Sequence, residues 1–404
     1  MAGRRRAVWA GLSLAFTLVV GCGGGPAPDA ARADVQHVLD RRAAAVLERD
    51  ASAYRGTQAP VSGSRDHPAA APGEFANLRG LPLASWSYRL TGFHRSGDRA
   101  TAEAELRYRI RGYDKAPVTA ARALTLTRDD GSWYVASDEP AEKAAEQLWE
   151  QGAVRAVKGE RSLVLGVGQP AAALRGYAAL ADRAVPVVSE AWGDDWAGRV
   201  VVLVPRSLDG MAGLLGAPAS GYRGIAAVTT GETGGSGKAP ADRVIVNPDA
   251  YGVLGGLGRQ VVLTHETTHV ATRAATTAAT PLWLSEGYAD WVGYRGAGRT
   301  AVQIAPELRR AVLEGRAPSR LPRDADFGFG GNATQLAQAY ESGWLACRMI
   351  ADRWGEVRLN EFYRAVGERE RRAGAVEGAL RDVLGTTPER FAEQWRAYLR
   401  AQLG

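Results

Sequence analysis

The chain is poor in the residues that would make a disulfide scaffold or a thiol enzyme. Only two of its 404 residues are cysteine, Cys22 and Cys347, so at most one disulfide could form. Cys347 stands in an apolar stretch with no histidine after it, and reads as a small buried hydrophobe rather than a nucleophile. Charge of one sign is also scarce in any one place. The chain has 50 basic and 44 acidic residues, a net charge of +6. No Lys/Arg block interleaved with aromatics occurs, so nucleic acid is not an expected partner. The run Glu368-Arg369-Glu370-Arg371-Arg372 mixes both signs and reads as solvated surface. No internal repeat is present. The apolar stretch Trp9–Val20 is too short for a standard membrane span. It follows Arg4, Arg5 and Arg6, which makes the first residues an export signal. Without those three arginines the positive excess falls from six to three. Histidine is scarce as well: His37, His67, His94, His265 and His269 are all there are.

That scarcity gives weight to His265-Glu266-Thr267-Thr268-His269. Positions i and i+4 of a helix share a face, so the two imidazoles can grip one ion, with Glu266 beside it as a general base. Val261, Val262, Leu263 and Val270 supply an apolar side, and no proline falls between Gln260 and Ala279. A glutamate buried on such a helix is costly unless it is paired or near a metal. A catalytic zinc takes three protein ligands and leaves one position for water. Glu286 offers the third ligand. Thr280-Pro281-Leu282 reads as the start of a second helix, and Glu286 and Asp290 are four apart on it. The metzincin alternative needs Gly at position 272 and His at position 275. The chain has Thr272 and Ala275 there, which excludes it.

His265-Glu266-x-x-His269 together with Trp283-Leu284-Ser285-Glu286-Gly287-x-Ala289-Asp290 resembles the gluzincin zinc metallopeptidases. This group includes thermolysin, aminopeptidase N and bacterial peptidase-MA-like domains. The resemblance covers about residues 155 to 404. It implies one Zn2+ per chain held by His265, His269 and Glu286, with Asp290 hydrogen-bonded behind His265. Tyr340-Glu341-Ser342-Gly343 resembles the Tyr-x-x-Gly of the aminopeptidase branch, whose Tyr stabilises the oxyanion. The alternative reading of Tyr340 is a core aromatic at a helix start. The Gly-x-Met-Glu-Asn type of strand is missing, so exopeptidase specificity is not implied. In gluzincins the strand before the first zinc helix borders the cleft and pairs with the substrate backbone. Here that strand is 243–247, giving Val244, Ile245 and Val246 as substrate-binding residues. At the other end, Val19-Val20-Gly21-Cys22 resembles a bacterial lipobox. By that resemblance Cys22 is lipidated, no intrachain disulfide forms, and the protein is extracytoplasmic and anchored to the cell membrane.

The expected organisation is a lipoprotein signal (1–21), a flexible Gly/Pro/Ala tether (22–32), a small α+β domain (33–138), a helical connector (139–158) and a zinc metallopeptidase-like domain (159–404). The small domain is expected to hold one amphipathic helix over 33–54, a loop over 55–80 and an antiparallel meander, similar in architecture to nuclear-transport-factor-like cones. It could bind a ligand or act as a spacer. The larger domain is expected to combine a mixed sheet, the HExxH helix and a helical C-terminal part. The overall class is α+β. The function these features imply is a membrane-anchored zinc metallopeptidase acting on a peptide or protein. The alternatives are an inactive peptidase-like module that binds peptide or cell wall, and a surface binding protein working through 33–138.

Overall fold

The computed structural model describes residues 30–60, 73–230, 241–329 and 331–404. The expected signal, Cys22 and most of the expected tether lie outside them. Among the described residues no helix is long and apolar enough to cross a membrane. The chain is a mixed helix-and-sheet protein built on two sheets.

The first sheet is an antiparallel meander, β1 (Leu83–Ser96), β2 (Arg99–Ile110), β3 (Val118–Asp129) and β4 (Ser132–Pro140), in sequence order. β2 shows the alternation most clearly. Ala100, Ala102, Ala104, Leu106, Tyr108 and Ile110 of β2 face inward and the residues between them face out. The helix α1 (Ala30–Glu48) covers the inner face with Val35, Val38, Leu39 and Val46. The expected single helix over 33–54 is in fact two. Arg49 takes a left-handed conformation, and Asp50 caps a new short helix, α2 (Ala51–Arg55), by accepting from the backbone of Ser52 and Ala53. Part of the expected 55–80 loop is also ordered. Phe75 of α3 (Gly73–Asn77) and Leu78 are buried beneath the sheet.

The expected helical connector over 139–158 contains no α-helix. β4 runs on to Pro140, a single 3₁₀ turn spans Leu148–Glu150, and β5 (Val154–Lys158) joins the second sheet. The segment is rich in helix formers, but tertiary contacts override that propensity. Trp149 sits 5.2 Å from the Trp86 ring and 5.0 Å from the Tyr108 ring, centroid to centroid. Glu150 pairs with the buried Arg122, which also donates to Asp138 at 2.8 Å.

The second sheet has the order β5-β6-β7-β9-β8, with β6 (Ser162–Val167), β7 (Val200–Val204), β8 (Ala227–Thr229) and β9 (Val244–Val246). The β6–β7 and β7–β9 pairs are parallel; the outer pairs are antiparallel. β6, β7 and β9 are buried on both faces, which is why they read as unbroken apolar runs, whereas the edge strand β5 leaves Arg155 and Lys158 exposed. Val164, Val200, Val202, Val204, Val244 and Val246 face α4 (Ala171–Trp192), which continues through Pro186, and the first motif helix. Leu163, Leu165, Val167 and Val201 turn the other way, into the core of the first sheet. Two short helices, α5 (Leu208–Leu215) and α6 (Pro248–Gly252), flank the sheet.

The two motif helices follow, α7 (Gly256–Thr272) and α8 (Leu282–Gly293). The rest is helical: α9 (Ala301–Ile304), α10 (Pro306–Leu313), α11 (Ala333–Trp354), α12 (Glu356–Gly367), α13 (Ala375–Leu384) and α14 (Pro388–Leu403). One large core holds Leu284, Tyr288, Leu345, Phe362, Trp395 and Leu399. Helices α8 and α11 touch backbone to backbone. A Cβ on Gly287 would lie 2.3 Å from the carbonyl of Gly343, and one on Gly343 would lie 2.7 Å from the carbonyl of Trp283. The close approach brings the Glu286 turn against the Tyr340 turn. In an open helix Gly→Ala stabilises by about 1 kcal/mol. Here Gly287→Ala is expected to destabilise by about 1–3 kcal/mol through overpacking. Urea unfolding reads the sign directly, and a raised midpoint would contradict the backbone contact.

Candidate metal centre

Helix α7 packs on α4 and α8 and turns His265 and His269 toward α8, where Glu286 stands one turn in from the start, while Glu266 meets β8. The donor atoms of His265, His269 and Glu286 all lie within 4.8 Å of one another, the only such group of three among the described residues. Nε2 of His265 and Nε2 of His269 are 3.0 Å apart. Oε2 of Glu286 is 3.3 Å from the first and 3.5 Å from the second. Ligands at 2.0–2.1 Å in a tetrahedron are separated by about 3.3 Å, so the triangle fits a zinc-sized ion.

Asp290, one turn after Glu286, accepts from Nδ1 of His265 at 2.8 Å. That bond keeps a proton on Nδ1, so Nε2 is the nitrogen that faces the centre of the triangle and would take an ion. Glu266 is buried on the same helix, and Oγ1 of Thr229 on β8 reaches its Oε2 at 2.7 Å and its main-chain carbonyl at 3.0 Å. Tyr340, in the first turns of α11, is half-buried. Its ring is 6.4 Å from that of His265 and 5.2 Å from that of Phe327. His265, His269, Glu286, Asp290 and Tyr340 therefore meet in one place, and Glu266 follows His265 on the same helix. A cavity of about 390 Å³ opens along α11 beside Ala339 and Ser342, with Arg320, Asp326 and Gln335 in its wall. None of the six residues lines it.

Val244, Ile245 and Val246 do not belong to this group. β9 is interior, hydrogen-bonded to β7 on one side and β8 on the other, and each of the three is at most 1 % exposed. A strand with both edges paired has no free N–H and C=O groups for a substrate backbone. The chain enters β8 first and then doubles back to place β9 inside it, so nearness in sequence to the motif helix misidentifies the outer strand. Thr229 is the residue that sequence reading misses. It lies 37 positions before Glu266, and no local pattern marks it. Cys347 is wholly buried, with its thiol pushed well up by burial, as a packing residue would be.

The sequence matches no protein-family model and no curated protein. Its structural neighbours are M1 zinc metallopeptidases. The structure is similar to an M1 zinc metallopeptidase from Deinococcus radiodurans at 15% identity and a TM-score of 0.38, over 79% of this chain and 62% of that one. It is similar to a point mutant of a two-domain M1 zinc metallopeptidase bound to L-arginine, at 15% identity and a TM-score of 0.37, over 80% and 63%. A two-domain mutant of the same kind bound to L-tryptophan gives 15% and 0.36, over 80% and 73%. The chain thus spans less than two thirds of the first of these neighbours. A likeness this distant assigns no activity; the side chains have to carry that.

Electrostatics sharpen what the side chains can do. Burial works against protonation of His265, but Asp290 and Glu286 more than offset it and raise its pKa to about 10. Burial also works against ionisation of Glu286, but His269 and His265 outweigh that and hold its carboxyl well below the usual range. Without metal, the raised pKa favours a proton on His265 at neutral pH. A metal needs Nε2 bare, so binding at neutral pH must expel that proton. Zinc affinity is expected to strengthen as pH rises from 6 to 8, by roughly tenfold per unit for one displaced proton. Competition with a chelator, corrected for the chelator's own protonation, measures it. A flat profile would mean that the metal-free imidazole is already neutral.

Proposed function

We propose that this protein is a zinc metallopeptidase, exported and held at the outer face of the cell membrane through lipidated Cys22, acting on peptides or proteins. The observation that carries the enzymatic part is the triangle of two imidazole nitrogens and one carboxylate oxygen, with edges of 3.0, 3.3 and 3.5 Å, and Glu266 buried beside it. Three ligands with a fourth position left to water is the pattern of catalytic zinc, whereas structural zinc closes all four. The anchoring part is supported by the residues Val19-Val20-Gly21-Cys22 and the basic, then apolar, stretch before them.

His265, His269 and Glu286 would hold the ion. Bound there, zinc supplies Lewis acidity, which acidifies a water and polarises a carbonyl. Asp290 keeps His265 in the tautomer that presents Nε2. Glu266 takes the proton from the attacking water and passes it to the leaving amine. Its Oε2 accepts from the Thr229 hydroxyl at 2.7 Å. Tyr340, with its ring beside His265, donates its phenolic proton to the carbonyl oxygen as negative charge develops there. A neutral phenol suits this role because it can donate without adding charge to the site. Residues 30–140 belong to the exported chain and brace the peptidase half, as the shared core described above requires.

The test begins with metal content of the soluble mature chain, expressed from residue 23 without a histidine tag. About one zinc per chain, lost in Glu286→Ala, is the expected result. Digestion of a peptide library should be abolished by a chelator and restored by zinc. Glu266→Gln should keep its zinc and lose roughly 10²- to 10⁴-fold in turnover. Turnover by Glu266→Gln at the parent rate would remove Glu266 as the base, and a wild type that takes no zinc would remove the peptidase reading itself.

A further inference from the structure

The three-residue strand β8 carries a hydroxyl into the site. Thr229 is 1 % exposed, and its Oγ1 is 2.7 Å from Oε2 of Glu266. The side chain is β-branched and stiff about χ1, so the hydroxyl is placed by the strand rather than by its own torsion. The strand in turn is fixed from two directions. Toward the motif helix, Arg273 at the end of α7 donates through Nη2 to the carbonyl of Thr230 at 2.6 Å and through Nε to Asp242 at 2.8 Å. Toward the first sheet, the partner is Arg243, at the start of β9. Its backbone N–H donates to Oγ1 of Thr230 at 2.9 Å, and its carbonyl accepts from the Thr230 N–H at 2.9 Å. Its guanidinium reaches across to the turn after β2, where Nη2 donates to Oδ2 of Asp114 at 2.7 Å. Both side chains are buried, and the same Asp114 oxygen accepts from the backbone of Ile110 at 2.7 Å. The turn itself is pinned to the second sheet. Tyr113 donates to the carbonyl of Ser162 at 2.9 Å, and Arg199 donates to the carbonyl of Gly112 at 2.5 Å.

We propose that Thr229 is a positioning residue for Glu266, and that the β2–β3 turn of the first sheet holds Thr229 in place through the Asp114–Arg243 ion pair. This rests on the reading of Glu266 as the general base. The hydroxyl takes one carboxylate oxygen and so fixes the rotamer that presents the other to the water. Without that bond the buried carboxylate loses one fixed contact, and its rotamer is held less tightly. The first sheet then contributes to turnover through the geometry of the base, while touching neither substrate nor metal.

Thr229→Val keeps the shape and removes only the donor. Thr229→Ser keeps the donor. In the zinc-loaded enzyme Thr229→Val is expected to lower kcat roughly 10- to 100-fold, with KM within about twofold and zinc content unchanged. Thr229→Ser should retain turnover close to the parent. Asp114→Asn should lower kcat roughly threefold or more, again without loss of zinc. Hydrogen exchange gives a readout independent of turnover. In Asp114→Asn, amides of 227–230 and 243–246 should exchange faster, while those of α14 should not change. Parent-like kcat in Thr229→Val, or equal loss in the serine and valine variants, would overturn the role of the hydroxyl. Unchanged protection of 227–230 in Asp114→Asn would overturn the link to the first sheet. A wild type that cleaves nothing would count against the peptidase reading alone, since the exchange comparison still decides whether the turn holds the strand.

Discussion

The helices at the centre of this protein bury more negative charge than their own side chains neutralise. Glu266, Glu286 and Asp290 close around two imidazoles, and even with His265 protonated the group is net negative. Taking an uncompensated carboxylate out of water costs several kcal/mol after relaxation. A merely structural cluster would be expected to shed that cost by substitution with apolar residues of similar size. The Asp290–His265 bond at 2.8 Å and the Thr229 hydroxyl on Glu266 each offset part of that cost. A divalent cation at the three donor atoms supplies the missing positive charge, and the donor spacing already matches one.

Such a site works only if the donors do not relax away from each other when the ion is absent. Packing provides that rigidity. Helix α8 is pressed between α7 and α11, and glycine stands at both contacts. A Cβ on Gly293 would lie 3.2 Å from the carbonyl of Val261, and one on Gly287 would strike Gly343. With backbones this close, the side chains of Glu286 and Asp290 cannot drift away from α7 without opening the core formed by Leu284, Tyr288 and Leu345. Interiors packed at crystal density transmit such displacements instead of absorbing them. Tyr340 shares this frame, because the same Gly343 contact sets the height of its turn against Glu286.

What the sequence shows of this site is the part whose spacing is local. Two histidines four apart, and a Glu and an Asp four apart, are each fixed by the helical period, and a helix of that register can present them only one way. The strands of the second sheet are legible as apolar runs for a similar reason. Their order is not, because β9 enters between β7 and β8 and nothing in its three valine and isoleucine residues says which neighbour flanks it. The expectation that Val244–Val246 form an edge fails on that point. Thr229 and the Asp114–Arg243 pair are invisible for the same reason: they are contacts across 37 and 129 positions. The connector fails differently. Residues 141–150 are rich in good helix formers, but Trp149 gains more by entering the Trp86–Tyr108 cluster than a solvated helix would gain from propensity, which amounts to tenths of a kcal/mol per residue.

The first sheet is therefore not a detachable spacer. Leu163, Leu165, Val167 and Val201 of the second sheet belong to the same apolar cluster as Trp86, Leu106 and Trp149. Each would return to water if the first sheet were removed, at about 1.5–3 kcal/mol per side chain. Four such residues amount to about 6–12 kcal/mol, the whole net stability of a typical domain. A chain that begins after β4 is then expected to lose the fold of the second sheet and its helices, seen as loss of a cooperative thermal transition, whatever the first sheet does for turnover. Loss of activity in such a truncation says nothing about ligand binding by the first sheet. Single substitutions that leave the shared core intact are what separate a structural brace from a binding module, because they change the contact to the site without uncovering the sheet.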